Sequence, residues 1–325
     1  MKTILSAFLI AATAALTAAA ANAAEFELRV GHNGGIDHPY QKGFEAFKKI
    51  AEEKSGGRIE VQIFPSAQLG AEDKVNNMVR NGLVAAQATS AAAGLAPFVP
   101  DIDALNYPFL FKSMDHYYKV MDGDVGKDLA KEVEDKLDVK LLGWGFSGTR
   151  SVWNGKHPVT TPDDLKDLKL RIINSEVMIN AFKGFGTEVT PMAFGEIYNA
   201  LQQKVIDGAE TDNVDLQVEK FYEVTKYVSL TNHLYLGAAY VFSKKVFDKL
   251  PPDLQQVVLE AGTEATKVER QAMAEQALSA RKFLEEHGLV YNEVDHAKFE
   301  AGVADLYANI SSPTVADMVK RIQAQ

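Results

Sequence analysis

Two α/β domains, each a central β-sheet flanked by helices, are the fold this sequence predicts, on three observations. Strand-like alternation and helix-like periodicity take turns from Phe26 onward, a rhythm that argues for a sheet with helices on its faces. A stretch near the C-terminus stays helical for roughly 30 residues, some 45 Å at 1.5 Å per residue, which is too long for one small domain. The chain has 325 residues, enough for two domains, each with an adequate core.

At the start, Met1-Lys2-Thr3 precedes an apolar, alanine-rich run over 4–21, and Ala21-Asn22-Ala23 is followed by Ala24-Glu25-Phe26. One positive charge, a short apolar stretch and an A-x-A site predict a secretory signal peptide, residues 1–23, cleaved near Ala23. A membrane-spanning helix needs about 20 strongly apolar residues. Here the strongly apolar part ends near Leu16.

Phe26-Glu27-Leu28-Arg29-Val30-Gly31 alternates and breaks at Gly34-Gly35, which reads as a strand delivering a loop. After Pro39 the apolar residues Tyr40, Phe44, Phe47 and Ile50 recur at helical spacing until Ser55-Gly56-Gly57. A second strand over 58–64, a loop, and a helix over 71–81 closed by Gly82 follow. The rhythm continues through a strand-like run at 84–89, two helices within 113–137, strands at 140–146 and 168–174, and a helix at 175–183. Pro251-Pro252-Asp253 then opens the long helix, with Leu254, Val257, Val258, Ala261, Ala265, Val268 and Ala272 at 3.6-residue periodicity. No Gly/Ser linker separates the halves, so crossing strands or helices must join them, as in hinged binding proteins.

The composition narrows the function. There is no cysteine, so packing carries stability and thiol chemistry is excluded. The formal charge is −10, or −11 once Lys2 leaves with the signal. That balance disfavours nucleic acid and anionic membrane surfaces as partners. It leaves room for local positive charge in a pocket.

Two motifs mislead. Gly143-Trp144-Gly145-Phe146-Ser147-Gly148 matches G-x-G-x-x-G after a strand, with Asp163-Asp164 about 20 residues on. A dinucleotide site needs those glycines to open a helix, yet Val152, Trp153, Asn154-Gly155 and Pro158 read as strand and turn. No cofactor is expected. His32, Asp37 and His38 are metal-ligating types, but their loop spacing specifies no third ligand and no metal is expected.

The arginines are more informative. Arg171 lies near the carboxyl end of its strand beside the apolar Ile172 and Ile173, where open α/β sheets bind ligands. Its partner there is either a structural carboxylate or a ligand carboxylate. Arg150, in the preceding strand, points to an anion: two converging guanidiniums repel unless one joins them, and the planar fork suits a carboxylate.

Pro191-Met192-Ala193-Phe194-Gly195-Glu196-Ile197-Tyr198, continuing through Ala200-Leu201-Gln202-Gln203 and Val205-Ile206-Asp207-Gly208-Ala209-Glu210, resembles the signature of the solute-binding proteins of tripartite ATP-independent periplasmic (TRAP) transporters. Phe64-Pro65-Ser66-Ala67-Gln68-Leu69-Gly70 resembles the early loop of that family. The resemblance implies a periplasmic monomer of two α/β domains, with crossing hinge strands, a long domain-bridging helix, and a cleft that closes on a small organic acid. The division would be 24–147 plus 237–276 against 148–236 plus 277–325. It implies delivery to a sodium-driven membrane permease and no catalysis. Arg171 matches the main carboxylate-binding arginine, Arg150 a second arginine of many sugar-acid binders, and Asn33, Phe194 and Thr211 cleft positions.

There are departures. Glu210-Thr211-Asp212 stands where the family commonly has Glu-Asn-Pro, and Ser90 where sialic-acid binders carry an acidic residue; both disfavour sialic acid. The inventory of Asn33, Glu72, Ser90, Thr211 and Asp212 suits hydroxyl groups, and Glu72 would repel a second carboxylate. Uronates or aldonates are therefore expected ahead of C4-dicarboxylates, unless Glu72 faces solvent. The rival from another class is a periplasmic enzyme acting on such an acid, which would need a general base of perturbed pKa beside the ligand.

Overall fold

The first strand, β1 (Phe26–Gly31), buries Leu28 and Val30 and delivers the Gly34-Gly35 loop to helix α1 (Pro39–Lys54). Pro39 is preset for a first helical turn, and the His38 ring nitrogen Nδ1 caps it by accepting from the Tyr40 backbone N–H. Tyr40, Phe44, Phe47 and Ala51 then face the core at helical spacing. Strand β2 (Ile59–Phe64), helix α2 (Glu72–Asn81) and strand β3 (Ala86–Ser90) complete a parallel β2-β1-β3 unit. The structure is a computed structural model that describes residues 24–325. The signal peptide expected at 1–23 lies outside the described residues.

Helices α3 (Met114–Asp122) and α4 (Asp124–Leu137) lead to β4 (Val139–Asn154), which is 16 residues long and continues well past the expected strand end at 146. The next expected strand is shorter than its apolar run, because only β5 (Lys169–Arg171) joins the ladder. After it come α5 (Glu176–Gly184), β6 (Glu188–Val189), α6 (Ile197–Gln202), β7 (Gly208–Thr211) and α7 (Asn213–Val218). Strand β8 (Tyr227–Ser243), unassigned by the sequence reading, is the longest at 17 residues.

These strands form one sheet in the order β2-β1-β3-β8-β4-β7-β5-β6, and a ninth, β9 (Val290–Asn292), pairs with β8 off that path. Long β4 and β8 are antiparallel neighbours, and each serves both halves. Residues 86–90 of β3 pair with the C-terminal end of β8, whereas β7 pairs with 151–154 at the C-terminal end of β4. The β4–β8 register shifts between Phe146 and Thr149, and Gly148 there has φ of +91°. A left-handed backbone strains any residue but glycine. The chain thus bends where it passes from one half of the sheet to the other.

Helix α8 (Lys244–Phe247) precedes α9 (Pro252–Glu286), 35 residues or about 52 Å at 1.5 Å per residue. Leu254, Val258, Ala261 and Ala265 of α9 pack with α1 residues in one core cluster, and Leu284 packs with Trp153 and Phe221 in another. One helix therefore braces both halves. Among the described residues no helix is long and apolar enough to cross a membrane.

Candidate ligand-binding site

The glycine motif opens no helix. Gly143 and Gly145 lie inside β4, where an added Cβ would stand 2.5 Å from Thr266 Oγ1 and 2.6 Å from Glu269 Oε2 of α9. They let helix and sheet approach closely. No helix opens at Gly148, since β4 runs on to Asn154. In the histidine loop, His32 Nε2 lies 3.0 Å from Gln41 Oε1, His38 is spent as the α1 cap, and Asp37 faces solvent.

Six of the expected binding residues meet at one chamber between the halves: Arg171, Arg150, Asn33, Phe194, Ser90 and Glu72. The chamber itself measures only about 20 Å³ and joins, through Asn33, Glu72, Arg171 and Phe194, an outer mouth of about 690 Å³. The inner volume holds about one water, so admitting an organic acid requires the two walls to part.

Arg171 ends β5, and its guanidinium enters this junction. Its Nε and Nη2 donate to the Met192 carbonyl at 3.2 and 3.1 Å, while Nη1 is buried without a hydrogen-bond partner among the described residues, 3.8 Å from Glu210 Oε1. Burial, with Arg150 nearby and Glu210 opposing, brings its pKa down to about 10, so it stays cationic at neutral pH.

Arg150 departs from the expectation of a second clamp. It is 2% exposed and donates from Nε to the Glu210 carboxylate and from Nη2 to the Glu210 backbone oxygen. The anion that joins the two guanidiniums is thus the protein's own. Glu210 also accepts from Ile173 N at 2.7 Å and lies 3.6 Å from His233 Nε2. Burial opposes its ionisation, but Arg150 and His233 outweigh that and hold its pKa near 2.

Glu72 faces inward, buried, and accepts from Ser90 N at 2.6 Å, Ser90 Oγ at 3.1 Å and Thr89 Oγ1 at 3.3 Å. The condition attached to the sugar-acid preference is therefore met on the cleft side. Burial nonetheless raises its pKa, against the lowering effect of these hydrogen bonds and of Arg171.

Thr211 and Asp212 are not among the residues lining the chamber or its mouth. Thr211 Oγ1 accepts from Trp153 Nε1 at 3.0 Å and donates to the Asp212 carbonyl at 3.2 Å, so its hydroxyl is spent in the wall. Asp212 caps α7 through Oδ1, with Val214 N at 2.7 Å and Asp215 N at 3.1 Å. Its Oδ2 is buried without a partner against Gly148, and burial, with Asp215 nearby, lifts its pKa to about 8.

The chamber also gathers residues that sequence reasoning did not propose as ligand contacts: Tyr40, His38, Ser147 and Asp215. Tyr40 had registered only as one turn of an apolar stripe. His38 Nε2 stands 3.5 Å from Asp215 Oδ1, and Arg150 Nη1 stands 4.0 Å from Asp215 Oδ2. Burial depresses His38 to about 4 and lifts Asp215 to about 6.

A sheet with two shared long strands, a bracing helix and a buried chamber lined by two arginines between its halves defines a solute-binding protein of the hinged type. The family model described as bacterial extracellular solute-binding protein, family 7, matches residues 30–313, and the chain belongs to that family, the solute-binding proteins of TRAP transporters. The 2,3-diketo-L-gulonate-binding periplasmic protein of Escherichia coli is 33% identical over 300 residues, covering 91% of this chain and 90% of its own. Among solved structures, a TRAP solute-binding protein of a Sulfitobacter species with bound β-D-galacturonate superposes with a TM-score of 0.88 at 31% identity, covering 92% of this chain and 100% of that one. One from Sulfurospirillum deleyianum with bound succinate gives 0.89 at 30% identity, with 93% and 99% covered.

Proposed function

We propose that this chain captures a sugar acid carrying one carboxylate, a uronate or an aldonate, in the periplasm and hands it to the membrane permease of a TRAP transporter. One observation carries the reading: Arg171 Nη1 is a buried, unpartnered cationic donor at the chamber, whereas the other arginine is already neutralised by Glu210. A ligand carboxylate satisfies that donor. Asn33 and Ser90 offer hydroxyl contacts, and Phe194 covers the mouth. Glu72 makes the wall acidic, which favours a tail of hydroxyls over a second carboxylate. The relatives with galacturonate and diketogulonate support this choice; the succinate-bound relative represents the alternative, a C4-dicarboxylate.

In this reading the secretory signal is removed near Ala23 and the protein acts as a monomer without catalysis. Residues 24–147 with 237–276 and residues 148–236 with 277–325 form the two domains, closing about the Gly148 bend. A thermal-shift screen against organic acids tests the function. A ligand at about 100 times its Kd stabilises by roughly 2.7 kcal/mol, so uronates or aldonates should raise Tm clearly while succinate and malate do not. Stabilisation by C4-dicarboxylates alone would reverse the assignment, and chemical conversion of any bound acid would return the enzyme reading.

A further inference from the structure

The chamber has a second end, opposite in character to Arg171. Tyr40 lines it and is 1% exposed, and its hydroxyl oxygen, beside Ser147, is buried and accepts no well-formed hydrogen bond among the described residues. Beside it lies Asp215 of α7, on the other half of the sheet. Among the described residues the charged partners of the Asp215 carboxylate are distant, His38 Nε2 at 3.5 Å and Arg150 Nη1 at 4.0 Å, and the Asp212 carboxyl, protonated at neutral pH, is its other neighbour. Glu72 differs, because its oxygens already accept from Ser90 and Thr89. Asp215 is thus the wall acid with acceptor capacity to spare.

Charge counting shows what such an end can hold. Arg150 and Arg171 supply two positive charges, against the carboxylates of Glu210, Asp215 and Glu72, the last already held by Ser90 and Thr89. One ligand carboxylate is held by the free donor of Arg171. A second would enter the chamber with no cation left for it, and a buried charge without a partner is strongly disfavoured. A hydroxyl meets the opposite reception: it donates to the Asp215 carboxylate and exchanges a hydrogen bond with the Tyr40 phenol.

We infer that Asp215, with Tyr40, is the specificity-determining end of the chamber, accepting a hydroxyl of the bound acid and rejecting a second carboxylate. The inference rests on the reading of Arg171 as the carboxylate anchor and adds the residues that separate monoacids from diacids. D-Gluconate and D-glucarate isolate the effect, since they differ only in a terminal hydroxymethyl against a terminal carboxylate; D-glucuronate serves as a second monoacid.

Isothermal titration of wild type, Asp215→Asn and Tyr40→Phe with the three acids is the test. Wild type should favour the better monoacid over glucarate by on the order of 100-fold, the scale of an unpartnered buried charge. Asp215→Asn should weaken the monoacid by about tenfold, as a lost charge-assisted hydrogen bond does, and narrow the monoacid-to-diacid ratio by at least that much. Tyr40→Phe, which keeps the ring, should weaken monoacids several-fold and leave the ratio wide. If Asp215→Asn does not fold, Asp215→Ser carries the same comparison. Wild type that binds a monoacid while the Asp215 variants keep its ratio overturns this inference and leaves the sugar-acid reading standing. Wild type that binds none of the three overturns that reading, and the inference with it.

Discussion

Arg150 and Glu210 form a buried ion pair at the centre of the molecule, joining β4 to β7, with the arginine donating to both the side chain and the backbone of the glutamate. The pair makes Arg150 a structural element before it is a ligand contact. Removing one partner of a buried pair leaves the other charge uncompensated, at a cost of about 3–5 kcal/mol. Arg150→Ala should therefore lower unfolding free energy by that order and affinity by less. Urea denaturation beside ligand titration measures both, and near-wild-type stability would show that the pair is dispensable.

Phe194 is half-buried between the chamber and its mouth, its ring edge-on to Phe221 with centroids 5.8 Å apart. A ring so placed shields Arg171 from water and, in the proposed reading, strengthens the ion pair with a ligand carboxylate there. Because part of the side chain remains exposed, truncation leaves a smaller cavity than a core residue would. Phe194→Ala should lower affinity by more than it lowers apo stability. Equal losses in the two measurements would make it a core residue only.

Much of the fold was legible because its signals are local. The stripe Tyr40, Phe44, Phe47 fixes α1, and the apolar period of Leu254, Val258, Ala261 and Ala265 fixes α9. Strand β8 was missed for a physical reason. Its second half, 237–243, is buried on both faces and so lacks the alternation by which half-buried strands are recognised. The place of Arg171 at a strand end was legible, and the structure puts it in the chamber wall. Asp215 and Tyr40 sit in unremarkable local patterns, and only the packing of α7 against the loop before α1 brings them to one chamber. The partner of Arg150 was likewise beyond reach: Glu210 is 60 residues away, and register alone places it.

Stability should fall as pH rises from about 6.5 to 8. Burial holds the Glu269 and Asp212 carboxyls up to about 8 and Glu219 to about 7. A carboxyl whose folded pKa is raised favours the folded state while protonated, and that contribution drains away between its unfolded pKa, near 4, and its folded value. His32 and His38, lowered to about 4, act oppositely but only below their unfolded pKa of 6.5. Above pH 6.5 they are neutral in both states and drop out. Glu269 is the cleanest probe, buried against β4 with Phe146 N at 3.3 Å. Glu269→Gln should raise Tm at pH 8 and flatten its decline across this window. A wild-type Tm that is constant or rising from pH 6.5 to 8 would contradict the assignment of protonated buried acids.

The remaining prediction concerns the donor on which the functional reading stands. Arg171 holds its own backbone loop through Met192 with one edge and keeps Nη1 free on the other. In the proposed reading the guanidinium does two jobs at once: it fixes the 191–196 loop and presents a cation to the ligand. Lysine cannot do both, because it is a point charge on a flexible stem without a fork. Arg171→Lys should fold yet fail to restore binding, although the charge is kept. Arg171→Ala leaves a ligand carboxylate buried without its partner, at on the order of 3–5 kcal/mol, or roughly 100-fold to several thousand-fold in affinity. It should also loosen the Met192 loop, visible as faster amide exchange there, while the Arg150–Glu210 pair keeps the sheet intact. Isothermal titration of both variants, after circular dichroism establishes that each is folded, reads the outcome. Near-wild-type affinity in Arg171→Lys would make the residue a loop anchor and move the search for the carboxylate partner elsewhere in the chamber.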